Sequence, residues 1–557
     1  MIQIINFKFD IIIMSVLLLF LFINAPIPAI NQEIGFVATP DSHATNIAKE
    51  ILSKGGNAID AGVAAMFTLA VVEPFSTGLG GGGILIVYDN KKNETKVIDF
   101  REAAPLNIDA RIYYQSKKDF EFSTSKGWGS ICVPGMVAGA NKAIQTFGTK
   151  SFDQILNPVI ELAENGFSVS ESLSKLLTRY YNFLEADKNS FELFFPNWLP
   201  LNKGEIMRRE NFALTFKLLA DQGADIFYRG EIADKIVQQM QMNKGLIVSS
   251  DLSEYQVELK QTVKQSYKTY EIHTAPPPSS AGVAILDLLK ILEKYDLQKF
   301  PLNSGQYIHL FVEACKLVFE DRSKYLSDGI DNSTTNYGFP VSDKHITRAS
   351  KLIDSLKVRS NENIVVTHND ISNGAHISII DKFGNAVAIS LSLNGNFGSG
   401  ITLENYGILF NNAMNNFSRE ANNKISIKAG RRPPISLAPT FLMLNQKPYL
   451  VIGGSGGERL ISTLAQIIIN IVEFKLSLDE AISSPRFYYN YYDHTIEMES
   501  RINSDSIEYL KRLGHKVKLK NAYDVYFGNI QALLYNLNQQ NYQFMNDMRK
   551  EGVVFFN

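Results

Sequence analysis

A chain of 557 residues is long enough for two or more packing units. Its hydrophobic content of 45%, charged content of 20% and net charge of −2 are ordinary globular values. They leave no basic footprint for nucleic acid and no strongly acidic one.

The first distinct stretch is Ile11 to Ala25, apolar apart from Ser15 and Asn24, with Lys8 just before it. Roughly 15 residues is short for a spanning helix, which needs about 20. The run suits the core of a signal peptide over residues 1–29, with a small residue for cleavage in Ile27-Pro28-Ala29. The competing reading is an uncleaved signal anchor. The first reading gives a secreted protein, the second one held on the extracellular face of a membrane.

Asp41 or Ser42 can cap a helix that carries Ala44, Ile47, Ala48, Ile51 and Leu52 on one face, and Gly55-Gly56 stops it. Asp60 to Val72 is small and apolar, as in a buried helix. The glycine run Gly78 to Gly83 leads into a strand and lacks a Lys-Ser/Thr pair, so it is a tight backbone passage and not a phosphate loop. Asn93 opens a sequon in a polar turn. Arg101 follows a strand in Asp99-Phe100-Arg101-Glu102. It reads either as a surface ion pair or as a guanidinium fork for a carboxylate.

Cys132 and Cys315 are the only cysteines, too few for a disulfide framework. Their apolar contexts suit buried free thiols, and a single bridge is the alternative. The middle of the chain is helical and charged, with a helix over Glu313–Tyr325. Asp331 to Asn373 is polar and rich in Asn and Ser, as in an exposed connector, and holds a second sequon at Asn332. The eight histidines show no local metal-ligand spacing.

From Asn373 to Ser399 the pattern gives a strand, a turn at Asp381–Asn385 and a second strand. Alternating Ile377, Ile379 and Ala386, Ala388 predict half-buried strands. A third sequon, at Asn416, falls inside Tyr406–Ser418 and is expected to be inaccessible. Gly453-Gly454-Ser455-Gly456-Gly457 ends a strand and opens a helix with Leu460, Ile461, Leu464, Ile467 and Ile468 on its apolar face. Glycines before a helix present N–H groups to an anion.

Several of these stretches together resemble the gamma-glutamyltranspeptidases, members of the N-terminal-nucleophile hydrolases. They are GGNAIDA (55–61), VVEPFSTGLGGGG (71–83), DFREAAP (99–105), PPPSSAG (276–282), EACKLVFEDRSKY (313–325), NGAHISII (373–380), YGILFNNAMNNFS (406–418), RRPPISLAPT (431–440) and GGSGG (453–457). The resemblance runs from about residue 34 to 555. It implies an α/β fold, a four-layer αββα sandwich built from both halves of the chain. Residues 30–373 are large-subunit-like and 374–557 small-subunit-like.

In that family a Thr hydroxyl attacks the peptide carbonyl just before it and splits the precursor. The freed amine then activates the same hydroxyl for attack on a γ-glutamyl carbonyl. Here His376, Ser378 and Gly384 fix the register, and the nucleophile position is Gly374. Ser372 as a substitute would need a shift of two residues and would point from a different place on the strand. Losing a nucleophile costs about 10⁶-fold in rate, roughly 8 kcal/mol of barrier. The supporting threonine is Ser392.

The resemblance places substrate contacts at Arg101, Asn394, Asn416 and Ser436, and an oxyanion hole at Gly456 and Gly457. Asn416 stands where the family carries an Asp for the α-ammonium. Ala413 stands for a Gln or Glu, and Ile435 for a Ser. Loss of one member of a buried charge pair costs about 2–5 kcal/mol. The reading is therefore an uncleaved, catalytically silent member. Its binding of glutathione or other γ-glutamyl compounds is weakened or lost, and an active paralogue is a candidate partner. No cofactor, metal or nucleic acid is expected. A binding or decoy role is expected, a secreted toxin or venom setting by analogy alone. The alternatives are an active γ-glutamyltransferase or glutathione hydrolase with an unexpected nucleophile, and a purely structural extracellular protein.

Overall fold

The computed structural model describes residues 34–325, 341–360 and 373–550. The segment 1–29, the sequon at Asn332 and Ser372 lie outside the described residues. Among the described residues no helix is long and apolar enough to cross a membrane.

Two six-stranded antiparallel sheets form the centre. The first uses β1 (Gly35–Ala38), β2 (Gly82–Asp89), β3 (Glu94–Asp99), β4 (Glu258–Gln261), β7 (Asn373–Asp381) and β8 (Ala386–Asn394), in the order β1-β7-β8-β2-β3-β4. The second uses β5 (Val263–Tyr267), β6 (Tyr270–Thr274), β9 (Thr440–Leu444), β10 (Lys447–Ser455), β11 (Asn529–Asn536) and β12 (Asn541–Asn546), in the order β12-β11-β10-β9-β6-β5. Each sheet draws strands from both halves of the chain, as expected.

Three apolar layers hold the sandwich. Helices α1 (Ser42–Ser53) and α2 (Ala58–Val72) cover the first sheet, with Leu85, Val87, Ile377, Ile379, Val387 and Ile389 beneath them. Between the sheets, Ile84, Ile86, Ile380, Ala386 and Ala388 meet Phe441, Met443, Val451, Leu533 and Tyr535. Helices α3 (Ser280–Leu292), α4 (Gly305–Tyr325) and α6 (Arg459–Val472) close the far side over Leu442, Leu450, Ile452, Ile530 and Ala532. The result is the four-layer αββα sandwich.

The hairpin β7–β8 departs from the half-buried expectation. Alternation is real, but one face meets helices and the other meets the second sheet, so both strands are buried on both faces. The face towards the second sheet is polar in the middle. His376 contacts Ser390 Oγ through Nδ1 at 2.8 Å and Ser378 Oγ through Nε2 at 3.1 Å, and Ser378 donates to the Gln531 carbonyl at 3.2 Å. These partners satisfy groups that would be costly to bury alone. The ring lies against β10, where a Cβ on Gly453 would stand 2.3 Å from its Cε1. Only glycine lets the strands approach so closely.

The predicted turn is made by Asp381. Its Oδ1 accepts the N–H groups of Phe383 and Asn385, both at 2.9 Å, and its Oδ2 accepts that of Ala58 at 2.9 Å. One carboxylate thus closes the hairpin and satisfies an orphan donor at the start of α2. Asp41 caps α1, as its position suggested. The polar stretch after Asp331 is not wholly a connector. It contains α5 (Asp343–Ser350), capped by Ser342, which buries His345, Ile346 and Ala349. A short helix with so small an apolar stripe is masked by polar composition. Cys132 and Cys315 are free and buried, so the single-bridge alternative falls away.

Candidate functional site

Gly374 is the second residue of β7 and is buried. Its N–H donates to Asn373 Oδ1 at 2.9 Å. Opposite it the β7–β8 pairing is irregular between Leu391 and Asn394. There Ser392 Oγ donates to the Asn373 carbonyl and accepts the Asn394 N–H at 2.7 Å. The hydroxyl of the expected supporting residue is therefore committed to the Asn373–Gly374 peptide. Gly81 passes close behind, where a Cβ would stand 2.4 Å from the Ser392 carbonyl oxygen. That contact is why the glycine run must be a backbone passage.

Asn394 has φ +76°, a left-handed conformation that Asn tolerates better than most residues. Its Nδ2 donates to the Asn412 carbonyl at 3.1 Å, which ties β8 to the 3₁₀ turn Ala413–Asn416. Asn416 is 1% exposed, and among the described residues neither its Oδ1 nor its Nδ2 has a hydrogen-bond partner. Asn394 Oδ1 is likewise buried and without a partner among them. Such groups normally find partners in a native interior. Ala413 packs with Ala104, Cys132, Met414 and Phe417 in a small apolar cluster. Asn416 is too buried to serve as a glycan acceptor, as expected.

Arg101 is neither a surface residue nor an open fork. It is 1% exposed. Its Nε and Nη2 donate to the two Asp99 oxygens at 2.9 and 2.8 Å, and Nη1 donates to the Pro433 carbonyl at 3.1 Å. Burial alone would raise the Asp99 pKa, but Arg101 foremost, with Arg432 and Lys260, holds it well below the carboxylate range. Both earlier readings of Arg101 miss this intramolecular partner, which lies two residues away on the preceding strand.

Ser436 is buried and accepts from Arg322 Nη2 at 3.2 Å, close to Ser280 Oγ at 3.3 Å. Arg322 Nη1 also meets Glu458 Oε2 at 3.3 Å. Glu458 directly follows Gly456 and Gly457, whose φ values are +145° and +58°. Among the described residues no acceptor meets the N–H of either glycine. Ile435 sits in the layer between the sheets, and its carbonyl accepts the Ser280 N–H at 2.9 Å. The His376–Gly453 contact brings the start of β7 to the end of β10, so Gly374 and Gly456 each lie two or three residues from it.

The structure thus groups Gly374, Ser392, Asn394 and Asn416 through one chain of contacts. Ser436 joins Gly456-Gly457 through Arg322 and Glu458, and Arg101 joins through Pro433. Arg322 and Glu458 were not singled out as site residues. Glu102 was missed as well. It is buried, its Oε1 has no partner among the described residues, and burial foremost pushes its pKa up to about 7. Its place in DFREAAP was a signal. Asn93 is exposed, but its amide donates to Gln446 Oε1 at 2.5 Å and accepts from Tyr88 at 2.9 Å.

The expectation of no metal site rested on local spacing. The fold brings together two groups that spacing cannot reveal: Asp287, Asp321 and His345, and His309, Glu313 and His515.

Comparison with known proteins fits this geometry. The family model described as Gamma-glutamyltranspeptidase matches residues 44–556. A glutathione hydrolase proenzyme of Escherichia coli strain K12 is 33% identical over 90% of this chain and 88% of its own. Scoloptoxin SSD14 of Scolopendra dehaani is 28% identical over 85% of each chain. A cephalosporin acylase crystal structure from Bacillus halodurans superposes with a TM-score of 0.84 at 25% identity, covering 94% of this chain and 95% of that one. The chain belongs to the gamma-glutamyltranspeptidase family.

Proposed function

From that membership we propose a catalytically silent, uncleaved protein that retains the family's scaffold and acts by binding. The observation that carries this reading is Gly374. The position that the family fills with a nucleophilic hydroxyl has no side chain, and its Cβ direction is blocked by the Leu391 carbonyl. The hydroxyl of Ser392 is spent on the Asn373 carbonyl and the Asn394 N–H.

The other expected site residues support the same reading. Asn416 offers an uncharged amide where an α-ammonium would need a carboxylate, and Arg101 is paired within the protein. The backbone cradle at Gly456-Gly457 remains. Glutathione and related γ-glutamyl compounds are the ligands we infer, held weakly, and an active paralogue is the inferred protein partner. Secretion is supported by the apolar run Ile11–Ala25, and a toxin-like setting by the relative named Scoloptoxin SSD14.

The test is turnover of a chromogenic γ-glutamyl anilide by the purified protein, expected to be absent, with glutathione binding followed by calorimetry. The second reading is an active γ-glutamyltransferase or glutathione hydrolase. It is favoured by the 33% identity to a glutathione hydrolase proenzyme. Turnover that disappears in Ser372→Ala would establish it.

A further inference from the structure

On the outer side of the second sheet, three helices bring together Asp287 from α3, Asp321 from α4 and His345 from α5. His345 Nε2 stands 3.0 Å from Asp321 Oδ2 and 3.5 Å from Asp287 Oδ1. One donor atom from each residue lies within 4.8 Å of the others. Asp287 is 2% exposed, and its Oδ1, directed at His345, has no hydrogen-bond partner among the described residues.

We propose that Asp287, Asp321 and His345 form a binding site for a divalent transition-metal ion of the zinc or manganese type, which fastens α5 to α3 and α4. Ligands about 2.1 Å from such an ion stand about 3.0 Å apart in octahedral and about 3.4 Å apart in tetrahedral geometry. The two spacings at His345, 3.0 and 3.5 Å, are of the size that ligands of one ion take. Two carboxylates and an imidazole supply the charge and the mixed oxygen and nitrogen donors that these ions take. Burial foremost raises the Asp287 carboxyl to about 6, opposed by its contact with His345, while against burial the two carboxylates raise His345 to about 9.

The bland account is an imidazolium held between two carboxylates. Against it, His345 Nε2 stands 3.5 Å from Asp287 Oδ1, a long contact, and among the described residues that oxygen has no closer partner. The second cluster makes a useful contrast. His309 Nδ1 and His515 Nε2 are already hydrogen-bonded at 2.8 Å, and Glu313 is taken by Lys316 Nζ at 2.8 Å and the Arg359 N–H at 3.0 Å. That group is internally paired and carries a lysine where a cation would sit.

The experiment uses the full purified chain, stripped with a chelator and dialysed, then titrated with Zn²⁺ and separately with Mn²⁺ by calorimetry. One equivalent of at least one ion should bind and raise the thermal midpoint. Asp287→Asn and the less buried, gentler Asp321→Asn should each weaken binding by about 100-fold, beyond the roughly 10-fold lower limit for losing a supporting contact. His515→Ala should bind as the parent does. Titration of the parent decides the matter even if a variant fails to fold. No binding by the parent, unchanged affinity in Asp287→Asn and Asp321→Asn, or loss of binding in His515→Ala would each overturn the proposal.

Discussion

A Cβ placed on Gly374 would stand 2.3 Å from the carbonyl oxygen of Leu391. The obstacle is backbone, held in the β8 strand, so it cannot swing aside as a side chain would. The residue without a hydroxyl is also a residue around which the strands have closed.

Gly374→Ala should therefore destabilise the protein, by about 1–3 kcal/mol as overpacking usually does. Gly374→Thr should cost at least as much, and should not restore chain cleavage by itself. Denaturant unfolding of the two variants checks the first point and gel electrophoresis the second. A variant as stable as the parent would mean that the start of β7 is free to shift.

Asn416→Asp should behave as a buried carboxylate without a partner. Among the described residues neither atom of the Asn416 amide is hydrogen-bonded, so no hydrogen-bond donor is in place to stabilise a charge there. Burial would raise the new carboxyl's pKa. A raised carboxyl pKa gives a penalty that is full above the folded value, fades as pH falls through it, and is gone below the unfolded one. The variant should lose about 1–3 kcal/mol at pH 7 and recover towards the parent near pH 4. Thermal melts at the two pH values check this.

Arg101→Ala should destabilise the protein in the absence of any ligand. It would strand the buried Asp99 carboxylate, a loss that costs about 3–5 kcal/mol when a buried pair is broken. Lys260 Nζ, 2.9 Å from Asp99, should keep the effect towards the lower figure. A melting temperature unchanged by the substitution would assign Arg101 to ligand binding alone.

His376 is neutral in the fold, because burial lowers its pKa to about 3. The unfolded chain takes up that proton near pH 6.5. Stability should therefore fall as pH drops from about 6.5 towards 3, with a limiting slope of about 1.4 kcal/mol per pH unit from this residue. His376→Gln should be less stable at pH 7 and show a shallower slope. Denaturant titrations across that window measure both.

Much of this was legible in the residues themselves. The glycine run, the Asp381 turn and the capped helices carry local signals, and the structure puts them where those signals point. What needed three dimensions was partnership. Arg101 looked like a fork for a ligand because Asp99, two residues before it, gives no sign in sequence that its carboxylate faces back. His376 fixed a register, but its seat on Gly453 joins two sheets from distant parts of the chain. Asp287, Asp321 and His345 share no local spacing, and α5 was hidden in a polar stretch because its apolar stripe is so small.

The central claim is that the chain stays whole because its nucleophile position is Gly374. Intact mass of the purified protein measures this directly. The account predicts one polypeptide running continuously through Asn373–Gly374. Two fragments with a new amino terminus at or near Gly374 would contradict it.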